Sequence, residues 1–390
     1  MSRRVAIVGV GLTRCSSWRR EVAYPELTYE ATSAALQDAG ITPNEVDAVV
    51  YGSMDPFDGV NAPEKWNVDA CATAGMLAKP YLKISTGGTT GGSTALAAYY
   101  HVASGLYDVV LAVASQRVGE TLEAQLVLNT AVDPVYERGF GAGAITVAAI
   151  QACSHMHAYG TTEEDLARVA VRNRQNALNN PYAHLRVKWS VQDALAAPVL
   201  SWPLTLADCC PSSDGACAIV FASEESARKL ARHPAWVRGA GQITDSYFMG
   251  DRPWAEDWDS LAMLAHRVYR LAKIDDPLRE IDVAELYNAF SIQEILEYEA
   301  LGFCEKGKGS ELVRQGVTAM DGQLPVCPSG GVLSTNPIGA SGLLRVAEAA
   351  LQVMGQADKR QVPDVKTALA HAWGATVGFH TLMILDREAP

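Results

Sequence analysis

The sequence predicts an α/β protein built from two related halves, each of βαβαβ type, and three observations carry that expectation. Short apolar runs of strand length alternate with Ala- and Leu-rich segments of helical spacing along the 390 residues. Two glycine-rich turns each lead into an Ala-rich helix: ISTGGTTGGSTALAAYY from residue 84 and SGGVLSTNPIGASGLLRVAEAAL from residue 329. The two stretches also sit in matching surroundings. Residues 5–14 echo 236–245, the turn at Gly88 echoes the turn at Gly339, and 217–222 echo 381–385. A period of half the chain indicates duplication of one unit rather than a solenoid.

Taken in order, residues 5–10 form a short apolar run read as a buried strand, and 27–39 have helical spacing that stops at Gly40. Residues 46–51 are a second strand, and 109–114 a third after the glycine turn and its helix. This order implies a largely parallel sheet with helices on its faces. From 116 to 211 the pattern loosens into an insertion covering one face, with a helix over 161–176 started by Thr162-Glu163-Glu164-Asp165. His155 and His157, two apart, suit neither one helical face nor a metal site. The strand 217–222 closes an N-terminal half placed at 1–230. The C-terminal half, 231–390, repeats the theme: strand 236–243, helix 260–271, strand-like 283–290, helix 292–301 ending at Gly302, then the second glycine turn and strands at 367–371 and 381–385.

Composition narrows the function. Hydrophobic residues make up 48% and charged residues 19%, enough for a large core, and the net charge of −12 with no long basic run argues against nucleic acid. The eight cysteines show neither Cys-x-x-Cys pairs nor disulfide-like spacing, so they read as reduced thiols of a cytoplasmic protein without a metal site. The opening MSRRVAIVGVGLTR is too short and glycine-broken in its apolar run for a signal peptide, and no run is long enough to span a membrane. The turn around Gly88 offers backbone N–H groups at a helix start, an arrangement suited to an oxyanion.

Several long motifs, in order, resemble the thiolase superfamily, and most closely its sterol-carrier or lipid-transfer-protein branch. They are VAIVGVGLTR, GSTALAAYYHVASGLYDVVLAVAS, DCCPSSDGACAIV, ELYNAFSIQEILEYEALGF, CPSGGVLSTNPIGASG and AHAWGATVGFHTLMIL. The resemblance covers essentially the whole chain. It implies a thiolase-like body of duplicated βαβαβ halves in a five-layer α–β–α–β–α arrangement, a homodimer, and a coenzyme A thioester as ligand, with no cofactor beyond the CoA of the substrate.

Against that pattern, the positions the family uses for catalysis are altered. The nucleophilic cysteine of the first glycine turn is replaced by Gly88 or Thr89, depending on the alignment. Tyr287, followed by Asn288, stands where the branch usually has a histidine. Gly-His-Pro of the second turn reads Thr335-Asn336-Pro337, and the late cysteine falls near Ala372. Thiolysis needs a thiolate and a base to activate it, so these losses argue against it. Retro-aldol cleavage of a β-hydroxyacyl-CoA needs no acyl-enzyme, and the family includes cysteine-less aldolases for steroid side chains that work with an OB-fold partner carrying a zinc ribbon.

The candidate machinery is therefore Tyr287 as base or proton donor if its pKa were lowered, with Asn336, Asn288 and His371 as further catalytic candidates. Backbone N–H groups of Gly88, Thr89 and Gly374 supply the oxyanion hole. Tyr247, Gly339 and Cys327 are candidates to line the substrate, and Cys327 is the first substitute nucleophile. Cys209, Cys210 and Cys217 read as packing residues, and Cys71 in ACATAG as a decoy. Two other functions stay open: an atypical thiolase or acyltransferase, and a non-catalytic subunit that binds acyl-CoA.

Overall fold

A computed structural model describes residues 3–58, 78–120, 123–141, 143–246, 248–252, 255–374 and 376–390. The N-terminal half contributes β1 (Val5–Leu12), α1 (Tyr24–Ala39), β2 (Ala48–Gly52), β3 (Tyr81–Ile84), α2 (Thr90–Ala103) and β4 (Val109–Arg117). Helices α3 (Ala144–Tyr159) and α4 (Glu163–Ala177) and the small hairpin β5 (Val199–Ser201) and β6 (Leu204–Thr205) follow, then β7 (Asp214–Ser223). Next come β8 (Ala235–Thr244), α5 (Asp259–Ala272), β9 (Val283–Glu285), α6 (Ser291–Ala300), α7 (Ile338–Met354), β10 (Thr367–Gly374) and β11 (Phe379–Asp386).

Among the described residues nine strands form one sheet in the order β3-β2-β4-β7-β1-β8-β11-β10-β9. Within the sheet the two halves join at β1 and β8, through Ala6 opposite Trp236 and Ile7 opposite Ala235. Within each half the last strand of the sheet inserts between the first and the one that precedes it in sequence, so β7 lies between β1 and β4 and β11 between β8 and β10. The echo extends to an isolated bridge from Ala284 to Val326, which lies beyond β9 as β3 lies beyond β2.

The sheet is mixed, not largely parallel. β2 runs parallel to β3 and β4, and β9 to β10, but β4–β7, β7–β1, β1–β8, β8–β11 and β11–β10 are all antiparallel. Only short connections force a pairing: β10 and β11, with four residues between them, have to form a hairpin. Where β7 lands is decided by tertiary packing. The strand expected over 283–290 ends at Glu285, because the backbone then turns aside to carry Tyr287 into the site described below.

Five layers result. α1 covers β1, β4 and β7 from outside through Leu27, Ala31 and Ala35, and its end is set by Gly40 at φ +65°. α5 covers β8 and β11 through Leu261, Leu264 and Val268. Between the half-sheets lie α2 and α7, in contact with each other and with strands of both halves. All residues of α7 are buried, including Arg345 and Glu348. Both charges are paired: Arg345 with Glu285, which also accepts a 2.7 Å bond from Ser329, and Glu348 with Arg360 at 2.7 Å.

The central helices approach until backbone meets backbone. A Cβ at Gly91 would lie 2.3 Å from the Leu343 nitrogen, and one at Gly342 would lie 2.5 Å from the Gly92 nitrogen. Only glycine permits that distance. In the insertion, α4 starts where Thr162 and Asp165 cap each other, its N–H to carboxylate bond 2.8 Å long, and Asp165 also holds Arg314 at 2.7 Å.

Gly91→Val should lower the unfolding free energy by about 1–3 kcal/mol or more, as overpacking does in well-filled cores. Gly139, with open space where a Cβ would go, is the control, and its change to Ala should stay within about 0.5 kcal/mol. Urea denaturation of both variants measures the difference.

Candidate active site

Each central helix begins at the same end of the body, and its leading turn forms one wall of a site. The first turn is held by its own hydroxyls. Thr86 N–H donates to Thr90 Oγ1 at 2.9 Å, Thr90 Oγ1 donates to the Gly87 carbonyl at 2.6 Å, and Gly87 takes φ +62°. Thr89 is fully buried and gives its hydroxyl to the Thr86 carbonyl at 3.0 Å, so that oxygen is committed to the turn. Gly374, at the end of β10, faces the turn so closely that a Cβ there would sit 2.6 Å from the Gly88 nitrogen and 2.5 Å from the Thr89 nitrogen. The three predicted oxyanion-hole residues thus come together from distant parts of the chain.

Tyr287 lies over this turn. A Cβ built on Gly88 would meet the Trp373 carbonyl oxygen at 2.9 Å and the Tyr287 hydroxyl at 3.2 Å. The phenol therefore occupies the direction a side chain at position 88 would take. Its ring meets Trp373 edge-on at 5.5 Å, and Trp373 Nε1 donates to the Tyr287 carbonyl at 2.6 Å, which fixes ring and backbone together. Ser341 stands beside the hydroxyl, Ser341 Oγ donates to Asn336 Oδ1 at 2.8 Å, and Asn336 Nδ2 donates to Cys210 Sγ at 3.1 Å.

The electrostatics of this chain keep its protons on. Burial pushes the Tyr287 hydroxyl well above the usual phenol range, with the neighbouring Cys210 acting in the same direction. The lowered pKa that a tyrosine base would need is absent, because no positive group touches the ring oxygen strongly enough to offset desolvation. Burial also pushes the Cys210 thiol up to about 11, against smaller opposing effects from the Asn336 bond and the Arg174 charge. At neutral pH the site holds a protonated phenol and a protonated thiol, the thiol sulfur accepting from Asn336.

A pocket of about 1010 Å³, its open mouth included, extends from this cluster. Gly88, Tyr287, Asn336 and Gly374 line one end, and Phe57, Val132, Phe290, Ile338 and Val377 belong to its apolar wall. Among the described residues no charged side chain lines it. No group of three or more His, Cys, Asp or Glu among the described residues is placed to hold a metal ion. Nor is any described helix long and apolar enough to cross a membrane.

The other candidates lie elsewhere. Asn288 is fully buried behind the site, giving its amide to Asn173 Oδ1 at 3.0 Å and Glu294 Oε2 at 2.6 Å and accepting from Val332 N–H at 2.7 Å. These bonds tie α4, α6 and the second glycine turn together and leave nothing for a substrate. Cys327 is buried, accepts from Leu286 N–H at 3.3 Å, and has its thiol raised by burial and by Glu285. It does not reach the pocket, which removes it as substitute nucleophile. Gly339 is a close-packing position: a Cβ there would meet Gln116 Oε1 at 2.3 Å. Tyr247 and Cys71 lie outside the described residues.

His371 is buried behind Trp373 on β10. Its Nδ1 meets Glu297 Oε1 at 2.8 Å and its Nε2 meets His380 Nδ1 at 3.1 Å. Burial and then His380 push its pKa down, so the ring stays neutral without substrate access. Cys210, read from the sequence as a packing residue, by contrast belongs to the site, together with Ser341 and Trp373, to which sequence reasoning assigned no role. Cys210 is drawn in because its N–H bonds to the Ala289 carbonyl at 3.0 Å, joining two segments that the sequence separates widely. The Cys209-Cys210 doublet before Pro211 was the available signal, and both residues line the pocket.

Two family models match the chain: "Thiolase, N-terminal domain" over residues 5–187 and "Thiolase C-terminal domain-like" over 244–387. An acetyl-CoA acetyltransferase of Methanothermobacter thermautotrophicus is 32% identical over 388 residues, 99% of this chain and 100% of that one. Human sterol carrier protein 2 is 31% identical over 396 residues, covering 95% of this chain and 70% of that protein. Among solved structures, the Ltp2-ChsH2(DUF35) aldolase superposes with a TM-score of 0.85 and 26% identity, covering 98% of each chain.

The electrostatics make two checkable statements. Alkylation of Cys210 by iodoacetamide should rise about tenfold per pH unit from pH 7 to 9, since only thiolate reacts, and peptide mass spectrometry resolves it from other cysteines. His380 is depressed to about 3 by burial, while an unfolded imidazole titrates near 6.5. Between those values the unfolded chain binds the extra proton, so stability should fall as pH drops from about 6.5 toward 3. His380→Asn should flatten that slope in urea denaturation.

Proposed function

This chain belongs to the thiolase superfamily, in its sterol-carrier-type branch, and from that premise we propose that it is a carbon–carbon lyase cleaving a bulky β-hydroxyacyl-CoA by retro-aldol chemistry. One observation carries the reading: the Tyr287 hydroxyl stands over a glycine turn without a thiol, where a side chain at Gly88 would otherwise project. A protonated phenol suits proton transfer to and from an enolate and does not suit acyl transfer.

In the proposed reaction the thioester oxygen sits against the N–H groups of the first glycine turn, beside Gly374, where developing negative charge is stabilised. The β-hydroxyl loses its proton, the Cα–Cβ bond breaks, and its electron pair moves onto the thioester as an enolate. A ketone or aldehyde leaves. Protonation of Cα then gives the shorter acyl-CoA. One proton leaves the hydroxyl and one arrives at carbon, so a protonated Tyr287 that gives its proton to Cα as it takes up the one from the β-hydroxyl ends unchanged. No redox partner is required.

The aldolase among the structural neighbours, whose name joins Ltp2 to ChsH2(DUF35), supports both the lyase reading and a partner subunit. We propose an OB-fold, zinc-ribbon protein as that partner, a homodimer of this chain, and a cytoplasmic location. A second reading rests on Cys210, whose thiol meets Asn336 at 3.1 Å. That contact favours thiolysis of a β-ketoacyl-CoA, as the acetyltransferase relative would suggest. With a pKa near 11, however, about one Cys210 in ten thousand is a thiolate at pH 7.

The test is a pair of assays with the partner co-expressed: a β-hydroxyacyl-CoA alone, and a β-ketoacyl-CoA with free CoA. Release of a carbonyl product from the first alone is expected. CoA-dependent cleavage of the second, lost in Cys210→Ser, would establish the thiolase reading instead. Tyr287→Phe should lower kcat by about 10²–10⁴-fold while its thermal midpoint stays near that of the parent. A folded variant with near-normal turnover would remove Tyr287 from the mechanism.

A further inference from the structure

The apolar pocket is lined by two buried amide oxygens to which no described residue donates. Gln293, in the first turn of α6, lines the pocket and is 1% exposed. Its Nε2 donates at 3.2 Å to Oε1 of Gln151, which is itself 2% exposed on α3. In this contact Gln151 presents its oxygen and Gln293 its nitrogen, so the Gln293 Oε1 is turned elsewhere. Among the described residues no donor reaches that Oε1. Gln125, in the short helix Ala124–Leu128, adds a second buried amide oxygen without a donor to the same lining. Buried acceptors in native proteins are nearly always satisfied, so exceptions lining a cavity point to its ligand.

We infer that Gln293 is a specificity residue that accepts a hydrogen bond from a hydroxyl of the acyl group, and that the substrate is a neutral, mostly apolar acyl-CoA bearing such a hydroxyl. The inference deepens the aldolase reading and rests on it for the thioester end of the ligand. Neutrality follows from the lining, which among the described residues carries no charge to pair with a carboxylate or an amine. The apolar wall at Val132, Phe290 and Val377 accounts for the rest of the chain. Two hydroxyls have the required chemistry: the β-hydroxyl beside the reacting bond, and a second hydroxyl farther along the chain.

The experiment is calorimetric titration of the full-length chain with decanoyl-CoA, ω-hydroxydecanoyl-CoA and β-hydroxydecanoyl-CoA, the last also with Tyr287→Phe so that cleavage does not distort the heat. One hydroxylated thioester is expected to bind about tenfold more tightly than decanoyl-CoA, the usual effect of satisfying one buried acceptor. Gln293→Met should abolish that preference and leave decanoyl-CoA affinity unchanged. If that variant does not fold, Gln293→Asn, which withdraws the amide by one methylene, must reduce the preference. Tighter binding of the β form places Gln293 beside the reacting carbon, and of the ω form at the chain end. Equal affinity for all three in the parent protein, or a preference that survives Gln293→Met, overturns the inference. Selective binding without cleavage of the β form would sink the aldolase reading and leave this one standing.

Discussion

The backbone contact between the two central helices is the constraint from which the rest of the site follows. Gly91 and Gly92 on one helix meet Gly342 and Leu343 on the other, so closely that a single methyl group on either side would collide with a backbone nitrogen. That crossing sets the distance between the two leading turns. Gly88 and Thr89 precede one helix, Asn336 and Pro337 the other, and both turns are held against β10 and the segment that carries Tyr287. A helix pair separated by ordinary side chains would part these walls by several ångströms. The long buried helix, with two compensated ion pairs and no exposed residue, behaves as the rigid member against which the rest is registered.

Within this frame, burial decides the chemistry more than any single charge does. The Tyr287 phenol and the Cys210 thiol are both pushed upward and so retain their protons. Behind them the Glu297–His371–His380 file is held neutral by the same desolvation, with the Glu297 carboxyl pushed up by burial and then by Glu294. A site whose members stay neutral stabilises charge only as it forms, through oriented N–H and O–H dipoles. Such dipoles act most strongly where burial keeps water and counter-ions from competing for them.

How much of this was legible before the structure depends on the kind of evidence each feature leaves. Helix ends were readable because their causes are local: Gly40 stops α1 in a left-handed conformation, and Thr162 with Asp165 starts α4. The duplication was readable because it repeats in order. The sheet's mixed character was not, since whether a strand joins its neighbours parallel or antiparallel is settled by which gap it fills, and apolar pattern carries no direction. Similarly, Asn288 and Cys327 have chemistry suited to a site but point away from it, while Cys210 looked like packing and points in.

The sequence by itself determined the class of fold, its two-fold internal repetition, and the absence of a cysteine from the first glycine turn. Each of these is a statement about residue types in a linear order. Only the tertiary structure decided that the Tyr287 hydroxyl lies over the vacant direction at Gly88, that His371 is sealed from the pocket, and that Cys210 and Gln293 face into it. The reason is physical: a side chain's protonation, partners and direction depend on which distant segments pack around it. Segments some 80 to 290 positions apart, at Gly88, Cys210, Tyr287 and Gly374, meet here within a few ångströms of one another.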